Sequence, residues 1–270
     1  MDGTLLGADS KVSPQTAAII SDLTRRGALI TVATARTPAT VVPLLADTLT
    51  TPPAIVMTGA AMWLRDAARY DSVHIIPRDE RCHIIQVCHG AGLHPFIYVM
   101  DGDSMLTVYH DGDSLTPVER DFYQARAHLP LKQFRLHCPV PENSSAVLCY
   151  AMGHHEGIFA AAATLRGRQG LSLSCYYDIF DRNIAHLEIF AAGVSKASAV
   201  TALKARLGAE RVVVFGDNLN DLPMMQVADC SVAVGNAFDE VKAAADIVIG
   251  PNTADSVARF IQSDFLNRQA

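Results

Sequence analysis

The sequence lacks the features that mark several broad classes of protein. Its 270 residues carry a formal net charge of −6 and no basic block. A nucleic-acid partner would require clustered lysine and arginine, so none is expected. No apolar run reaches the roughly 18 residues of a membrane-spanning helix. No charged start is followed by an apolar stretch, so we expect neither a membrane segment nor a signal peptide.

The cysteines and histidines lack the spacing of a metal site. None of the six cysteines forms a Cys-x-x-Cys pair, and most lie inside apolar runs, where a free thiol behaves as a small hydrophobic group. Neither a zinc site nor a disulfide framework is expected, and the predicted compartment is the reducing cytoplasm. The ten histidines likewise show no ligand pattern.

The composition is that of a packed globular protein, with half of the residues apolar and 19% charged. The chain is long enough for one large domain or two smaller ones. At both ends, helical patterns alternate with short apolar strands, predicted at 29–33, 55–57, 212–215 and 231–234. This alternation is typical of a parallel sheet with helices on both faces, which is an α/β fold.

The middle of the chain has a different pattern and predicts an inserted α+β module. Strands are predicted at 96–100 and 106–109, and each is followed by the tetrapeptide Asp-Gly-Asp-Ser, at 101–104 and 111–114. Asp-Gly is a strong hairpin-turn signal. A calcium loop is the alternative, but the segments lack the alternating carboxylates and final glutamate of an EF-hand loop. We therefore interpret both tetrapeptides as turns.

A polar cluster follows the predicted strand 212–215. It places two carboxylates, Asp217 and Asp221, and two carboxamides, Asn218 and Asn220, within four residues of one another. Ligands of open α/β sheets bind beyond the carboxyl ends of the strands. Oxygen ligands at such a position suit Mg²⁺, which is usually held by one or two carboxylates and the substrate phosphate. The alternative is a polar loop that caps the next helix.

Three further segments fit the same chemistry. Residues 1–6 read MDGTLL, and the strand at 29–33 ends in a threonine, an alanine and an arginine at 34–36. Lys196 lies in the first turn of a predicted helix. A cation is unfavourable there because the helix dipole prefers anions, and such a local conflict often marks a functional position.

Taken in order with residues 216–221 (GDNLND), these segments resemble the haloacid dehalogenase-like phosphohydrolases, in particular the Cof-type (subfamily IIB) sugar phosphatases. The segment ADCSVAVGNA at 228–237 is also similar to that subfamily. The resemblance implies a Rossmann-like parallel-sheet core formed by 1–78 and 190–270, with the α+β cap domain at 79–189. It also implies Mg²⁺ as cofactor.

The resemblance assigns roles at the N-terminal half of the site. Asp2 would be a catalytic general acid and base, with its backbone carbonyl facing the metal and the Met1 amide facing the phosphate. The Thr34 hydroxyl and the Ala35 amide would donate to phosphate oxygens. Arg36 would reach the phosphate or pair with a surface carboxylate.

The remaining roles fall in the C-terminal half. Lys196 would be the catalytic cation that neutralises the phosphate, and Asn220 would donate its amide to it. Asp217 would ligate the metal together with Asp2. Asp221 would complete the metal set by holding a metal-bound water, or it would cap the following helix.

One departure from the family pattern affects the catalytic prediction. The family motif is Asp-x-Asp-Gly-Thr at the end of a strand, and its first aspartate is the nucleophile. Here Asp2 matches the second aspartate and Met1 matches the x. The nucleophile and its strand would precede Met1, and we expect that an internal methionine has been taken as the start.

Two functions are therefore carried forward. The first is a Mg-dependent phosphatase that hydrolyses phosphomonoesters of small metabolites through an aspartyl-phosphate, with sugar phosphates as the favoured class. The alternative is a non-catalytic pseudo-phosphatase that binds a phosphorylated ligand. The expected partner is a small phosphorylated metabolite, with no nucleic acid and no membrane, and the expected state is a monomer or homodimer.

Overall fold

The computed structural model describes residues 1–178 and 181–269. The chain divides into two compact units. We call Met1–Ala67 with Ser195–Ala270 the core unit, and Ala68–Val194 the inserted unit. The predicted assignment of 79–189 as a cap, and of 1–78 with 190–270 as a catalytic core, remains a prediction about function.

The secondary structure alternates in the core unit and is richer in strands in the inserted unit. The helices are α1 (Pro14–Arg25), α2 (Pro38–Leu44), α3 (Arg78–Gly90), α4 (Pro117–Gln124), α5 (His155–Leu165), α6 (Lys196–Leu207), α7 (Leu222–Gln226), α8 (Asp239–Ala244) and α9 (Ser256–Gln269). The strands are β1 (Ala54–Val56), β2 (Ala61–Leu64), β3 (Arg69–Asp71), β4 (Phe96–Asp101), β5 (Met105–His110), β6 (Lys132–Leu136), β7 (Ala146–His154), β8 (Leu171–Tyr177), β9 (Ile184–Ala191), β10 (Val213–Gly216), β11 (Cys230–Ala233) and β12 (Ile247–Val248). Over the described residues, every helix is too short or too polar to cross a bilayer.

The core unit contains the parallel sheet that the sequence predicted. Strands β10, β11 and β12 lie side by side and parallel, with Val214 opposite Ser231 and Val232 opposite Ile247. Parallel strands require crossover connections, and α7 and α8 supply them here. The α/β fold with a parallel sheet is thus confirmed, and β10 ends at Gly216, directly before the polar cluster.

Residues 29–33 do not form the predicted strand. They make one parallel bridge, between Ala33 and Ile55, supported by hydrogen bonds from Ile55 N to Val32 O (2.9 Å) and from Thr34 N to Ile55 O (3.0 Å). The neighbouring strand β1 pairs antiparallel with β2 instead. An apolar sequence is not sufficient for a strand, because a ladder also needs backbone partners.

A cavity of about 560 Å³ in the core unit lies beside this segment. It is bordered by residues 28–33 on one side and by 212–215 on another, so two extended backbone segments line the same space. Apolar side chains of α6 and α9, including Leu203 and Phe260, complete its wall. Met1 also borders this cavity.

The inserted unit contains a six-stranded sheet in the order β6-β5-β4-β7-β9-β8, antiparallel except between β5 and β6. The first Asp-Gly-Asp-Ser segment forms the predicted hairpin turn between β4 and β5, with Gly102 at φ +66°. The second was predicted wrongly. Residues 111–114 form a loop that leads to α4, which Thr116 caps, because no strand follows to complete a hairpin.

Candidate active site

The first residues form a tight turn around Asp217. The amides of Leu5 and Leu6 donate to the carbonyl of Met1, at 2.9 and 3.0 Å. Gly3 has φ +69°, and a Cβ atom at this position would overlap the Asp217 carboxylate. Thr4 Oγ1 donates to Asp217 Oδ1. Only glycine allows the turn to lie this close to the carboxylate.

Two asparagines anchor this turn, and sequence analysis assigned a role to neither. Asn236 Nδ2 donates to the carbonyl of Gly3 (2.7 Å), and Asn252 Nδ2 donates to the carbonyl of Leu6 (2.6 Å). The backbone N–H of Asn252 donates to Asn236 Oδ1 at 2.9 Å, so the two asparagines are also linked to each other. Asn236 lies within the segment 228–237 that resembles the family, so a signal for it was present. Asn252 had none.

Asp2 and Arg36 form a bidentate ion pair. Arg36 Nε donates to Asp2 Oδ2 at 2.8 Å, and Arg36 Nη2 donates to Asp2 Oδ1 at 2.5 Å. The hydrogen bond from Arg36 holds the pKa of Asp2 below its ordinary value, against the opposing effect of partial burial. Of the two alternatives for Arg36, the structure shows carboxylate pairing, and the carboxylate is that of Asp2.

Lys196 begins α6 and reaches Asp221. Ser195 caps this helix by accepting from the amide of Ser198 at 3.0 Å. Lys196 Nζ donates to Asp221 Oδ1 at 2.7 Å, and each side chain is only 8% exposed. Asp221 Oδ2 accepts from the amides of Asp217 (3.1 Å) and Asn218 (3.3 Å). Both oxygens of Asp221 are therefore engaged by the protein.

The pKa values of the two neighbouring carboxylates, Asp217 and Asp221, are shifted in opposite directions. Burial raises the pKa of Asp221, but the Lys196 ammonium and the hydrogen bonds outweigh burial and hold it below the ordinary value. Burial raises the pKa of Asp217, and the charge of Asp221 raises it further, with Thr4 opposing. Asp217 is thus the carboxylate whose negative charge the protein compensates least, and a bound cation would relieve it.

Thr34, Ala35 and Asn220 occupy different surroundings. Thr34 is 3% exposed, and its Oγ1 accepts from the amide of Arg36 at 3.2 Å. Its hydroxyl proton remains available for a second partner. Ala35 and Asn220 are exposed. Asn220 directly precedes Asp221 within a short 3-10 turn, Leu219–Asp221.

A strained turn at residues 57–59 contacts both the segment that contains Thr34 and the start of α6. Three successive residues, Met57, Thr58 and Gly59, have left-handed φ values of 48°, 58° and 98°. The amide of Thr58 donates to the carbonyl of Thr34 at 2.9 Å, and a Cβ atom at Gly59 would overlap the carbonyl of Ser195. Left-handed non-glycine residues are costly and tend to cluster at functional sites. Here they fix Thr34 against the N-cap of the Lys196 helix.

The family model for haloacid dehalogenase-like hydrolases matches residues 1–261. The chain belongs to this family. It is 27% identical over 277 aligned residues to the pyridoxal phosphate phosphatase YbhA of Escherichia coli, covering 98% of this chain and 97% of the relative. It is 26% identical to the HMP-PP phosphatase of Serratia proteamaculans, over 97% of this chain and 92% of that protein.

The fold of this hydrolase also matches solved structures of the family. Superposition on the haloacid dehalogenase subclass IIB sugar phosphatase BT4131 gives a TM-score of 0.76, with 21% identity over 98% of this chain and 96% of that one. At this identity the likeness concerns the fold, and it confirms the predicted α/β architecture. The predicted family is likewise confirmed, whereas the individual residue roles remain predictions.

Proposed function

We propose that this haloacid dehalogenase-like hydrolase is a Mg²⁺-dependent phosphatase of small metabolites, with sugar phosphates as the favoured class. The observation that carries the proposal is the buried Lys196–Asp221 pair beside the undercompensated Asp217, at the carboxyl end of β10. A phosphate ester needs a cation and a metal-binding carboxylate side by side, because phosphoryl transfer depends mainly on positioning and charge neutralisation. Two relatives named as phosphatases, one of pyridoxal phosphate and one of HMP-PP, support small phosphorylated metabolites as the broad substrate class.

The donor set fits Mg²⁺. Asp217 would be its direct carboxylate ligand, and Asp2 would contribute its backbone carbonyl. The turn at Gly3 keeps residues 2–4 against the Asp217 carboxylate. Asp221 has both oxygens engaged, which favours positioning of the loop and of a metal-bound water over direct ligation. Bound Mg²⁺ would neutralise phosphate charge.

The other residues would handle the phosphate and the protons. Lys196 would neutralise a phosphate oxygen, and the Thr34 hydroxyl, the Ala35 amide and the Asn220 amide would donate to the others. Asp2 would protonate the leaving oxygen when the aspartyl-phosphate forms and would take a proton from water when the aspartyl-phosphate is hydrolysed, so the same group acts first as acid and then as base. Arg36 holds the pKa of Asp2 below its ordinary value, so Asp2 would have to leave Arg36 and take up a proton from solvent before it acts as the acid.

The proposed nucleophile is the aspartate that the resemblance places directly before Met1. Met1 borders the 560 Å³ cavity, and an apolar strand inside that cavity would run alongside residues 28–33 and 212–215. A carboxylate at the end of such a strand would reach the site next to Met1. Attack on phosphorus would form an aspartyl-phosphate and release the alcohol, and water would then release inorganic phosphate and restore the carboxylate.

We also propose that residues 79–189 serve as the cap that selects the substrate. Caps act by excluding water and by contacting the part of the substrate that is not phosphate. Replacing this segment with a short linker should leave hydrolysis of small aryl phosphates partly intact and flatten the ranking of sugar phosphates. An unchanged ranking would assign specificity to the core unit instead.

The function is tested by measuring phosphate release from a panel of phosphomonoesters, with and without Mg²⁺, for the chain preceded by an apolar strand that ends in aspartate. Turnover that requires Mg²⁺ and is lost in Asp217→Asn and in Lys196→Met supports the proposal. Lys204→Met is the matched control for Lys196→Met, since Lys204 also pairs with an aspartate 25 residues onward but at an exposed position. Retained phosphate-ester binding without any turnover would identify a pseudo-phosphatase.

A further inference from the structure

A second group of ligand-type side chains lies in the inserted unit, far along the chain from every residue assigned above. His89, His94 and Asp111 converge so that one potential ligand atom from each lies within 4.8 Å of the others. His94 Nδ1 is 2.9 Å from Asp111 Oδ1, and His89 Nε2 is 3.2 Å from Oδ1 and 3.1 Å from Oδ2. The spacing of the histidines in the sequence shows no ligand pattern, so this group becomes visible only in the folded chain.

The end of α3 brings the two histidines together. His89 lies in the last turn of this helix, and the chain then reverses at Gly92, which has φ +71°. The amide of Leu93 donates to the carbonyl of Cys88 (2.9 Å), and the amide of Gly92 donates to that of His89 (2.9 Å). These are the bonds of a helix C-terminal reversal. They return His94 towards His89, so their rings lie 4.8 Å apart.

The strand register supplies the aspartate. Strands β4 and β5 are antiparallel with Ile97 opposite Tyr109, so the residues just before β4 lie beside those just after β5. Asp111 follows β5 and reaches His94 in this way. At the next residue, Gly112, a Cβ atom would come within 3.1 Å of His94 Cγ and 2.8 Å of His110 Cε1. Glycine at 112 is what leaves room for the His94 ring.

The loop that carries the aspartate is itself fixed. His137 Nδ1 lies 2.8 Å from the carbonyl oxygen of Gly112, which anchors the residue after Asp111. The cluster thus joins three separate pieces of chain, namely the end of α3, the entry to β4 and the exit from β5. Its positions at 89, 94 and 111 follow no helical or strand repeat, which is why spacing in the sequence did not reveal it.

We propose that His89, His94 and Asp111 form a Zn²⁺ site, with water in the fourth position. Tetrahedral zinc with bonds near 2.0 Å places its ligand atoms about 3.3 Å apart, close to the nitrogen–oxygen separations seen here. Two imidazoles and one carboxylate suit zinc rather than Mg²⁺, which prefers oxygen ligands only. The side chains of His89, His94 and Asp111 are 39%, 43% and 25% exposed, so an ion can enter from solvent.

The arrangement differs from an ordinary ion pair between histidine and aspartate. A single carboxylate that serves two imidazoles from two different elements already has the geometry of a three-ligand site. Zinc would replace the hydrogen bonds with coordinate bonds once both ring nitrogens have released their protons. Because the site exists only in the folded chain, the ion would stabilise the inserted unit.

The test measures Zn²⁺ binding by calorimetry in excess Mg²⁺, which is added to compete for the oxygen ligands of the core unit. We expect one zinc per chain and a loss of affinity of at least about tenfold in His94→Ala and in Asp111→Asn. His154→Ala is the matched control, because His154 is also exposed and lies beside another histidine and a carboxylate. Equal zinc affinity in the parent chain and in both ligand variants would overturn the proposal, as would a loss confined to His154→Ala.

A second measurement uses the unmutated protein, so it does not depend on how the variants fold. Crystals soaked in zinc should show anomalous density between His89, His94 and Asp111, and zinc should raise the melting temperature. Anomalous density elsewhere with none at this position would overturn the proposal. This outcome is independent of phosphatase activity, so it neither supports nor weakens the proposed function.

Discussion

The two units form their sheets under different conditions. In the inserted unit, the apolar segment at 96–100 lies between two partners, β5 and β7, and forms a full strand. In the core unit, the equally apolar segment at 29–33 lies between β1 and the 560 Å³ cavity and makes one bridge. The comparison teaches that an apolar pattern fixes burial, whereas strand formation also depends on neighbours on the hydrogen-bonding edges.

The two units also differ in the donor atoms and the exposure of their potential metal-binding side chains. The core unit presents oxygen donors, with a buried ion pair behind them. The inserted unit presents two imidazoles and one carboxylate that remain partly exposed. The first set suits a hard cation held together with a phosphate, and the second suits a borderline transition metal. Four predictions break or sharpen this comparison, from the largest expected effect to the smallest.

The largest effect is expected from filling the cavity of the core unit. Placing an apolar strand that ends in aspartate before Met1 should raise Mg²⁺-dependent hydrolysis of an aryl phosphate at least about a thousandfold over the 270-residue chain. The same strand should extend residues 29–33 into a ladder, which amide hydrogen exchange would detect.

The matched control for this experiment is the same extension ending in asparagine. It should protect the amides of 29–33 equally but leave activity low, because it fills the cavity without supplying a nucleophile. Vigorous Mg²⁺-dependent turnover by the 270-residue chain itself would contradict the prediction.

The second effect compares two lysines of α6. Lys196→Met leaves Asp221 buried without its cation, which typically costs about 3–5 kcal/mol of unfolding free energy. Lys204→Met removes an exposed pair with Asp229, so it should change the free energy of unfolding much less, because solvent screens the two charges. Urea unfolding of both variants measures the difference. Similar values for the two would show that the Lys196–Asp221 pair is solvated in solution.

The third effect compares two glycines with nearly the same backbone conformation. Gly3 and Gly102 have φ +69° and +66°, but a Cβ atom meets the Asp217 carboxylate at Gly3 and nothing within 4 Å at Gly102. Gly102→Ala should cost about 1–2 kcal/mol, the penalty of the left-handed conformation alone. Gly3→Ala should cost more and also lower activity in the extended chain.

Melting curves and phosphatase assays on both glycine variants make the comparison. Reduced activity in Gly102→Ala, or unchanged activity in Gly3→Ala, would contradict the proposal that the turn of residues 1–6 forms part of the phosphate-binding site.

The smallest effect concerns the dependence of stability on pH. The pKa of Asp221 is lowered on folding, so its contribution to stability is present above its ordinary unfolded pKa of 3.8 and is lost as pH falls through the folded pKa. Asp221→Asn should therefore flatten the acid limb of the stability curve. The pKa of Asp217 is raised, so its protonation favours the folded state, and Asp217→Asn should steepen the same limb.

Denaturant unfolding at a series of pH values below about 6 records both slopes. Slopes that change in the same direction in the two variants would contradict the opposite environments of these carboxylates.

Much of the architecture was accessible from the sequence. Alternation of helices and apolar strands predicted the parallel sheet, and β10 and β11 lie where it placed them. The proposed roles of Asp217, Asp221 and Lys196 followed from ordered motifs, and these residues lie at or near the ends of regular elements whose positions the pattern predicts. The pairing of Arg36 with Asp2, left open by the sequence, required side-chain geometry.

The sequence by itself determined which segments are buried and where most strands end, and hence where the polar residues that follow those strands lie. It could do so because hydrophobic periodicity and the residues that form turns and caps are local features of the chain. Tertiary structure alone decided that residues 29–33 lack a ladder, that Asn236 and Asn252 anchor the first turn, and that His89, His94 and Asp111 meet. Each of these depends on the neighbours that folding places beside a residue, through a hydrogen bond, a strand register or the lack of a strand partner, and the local sequence pattern does not record them.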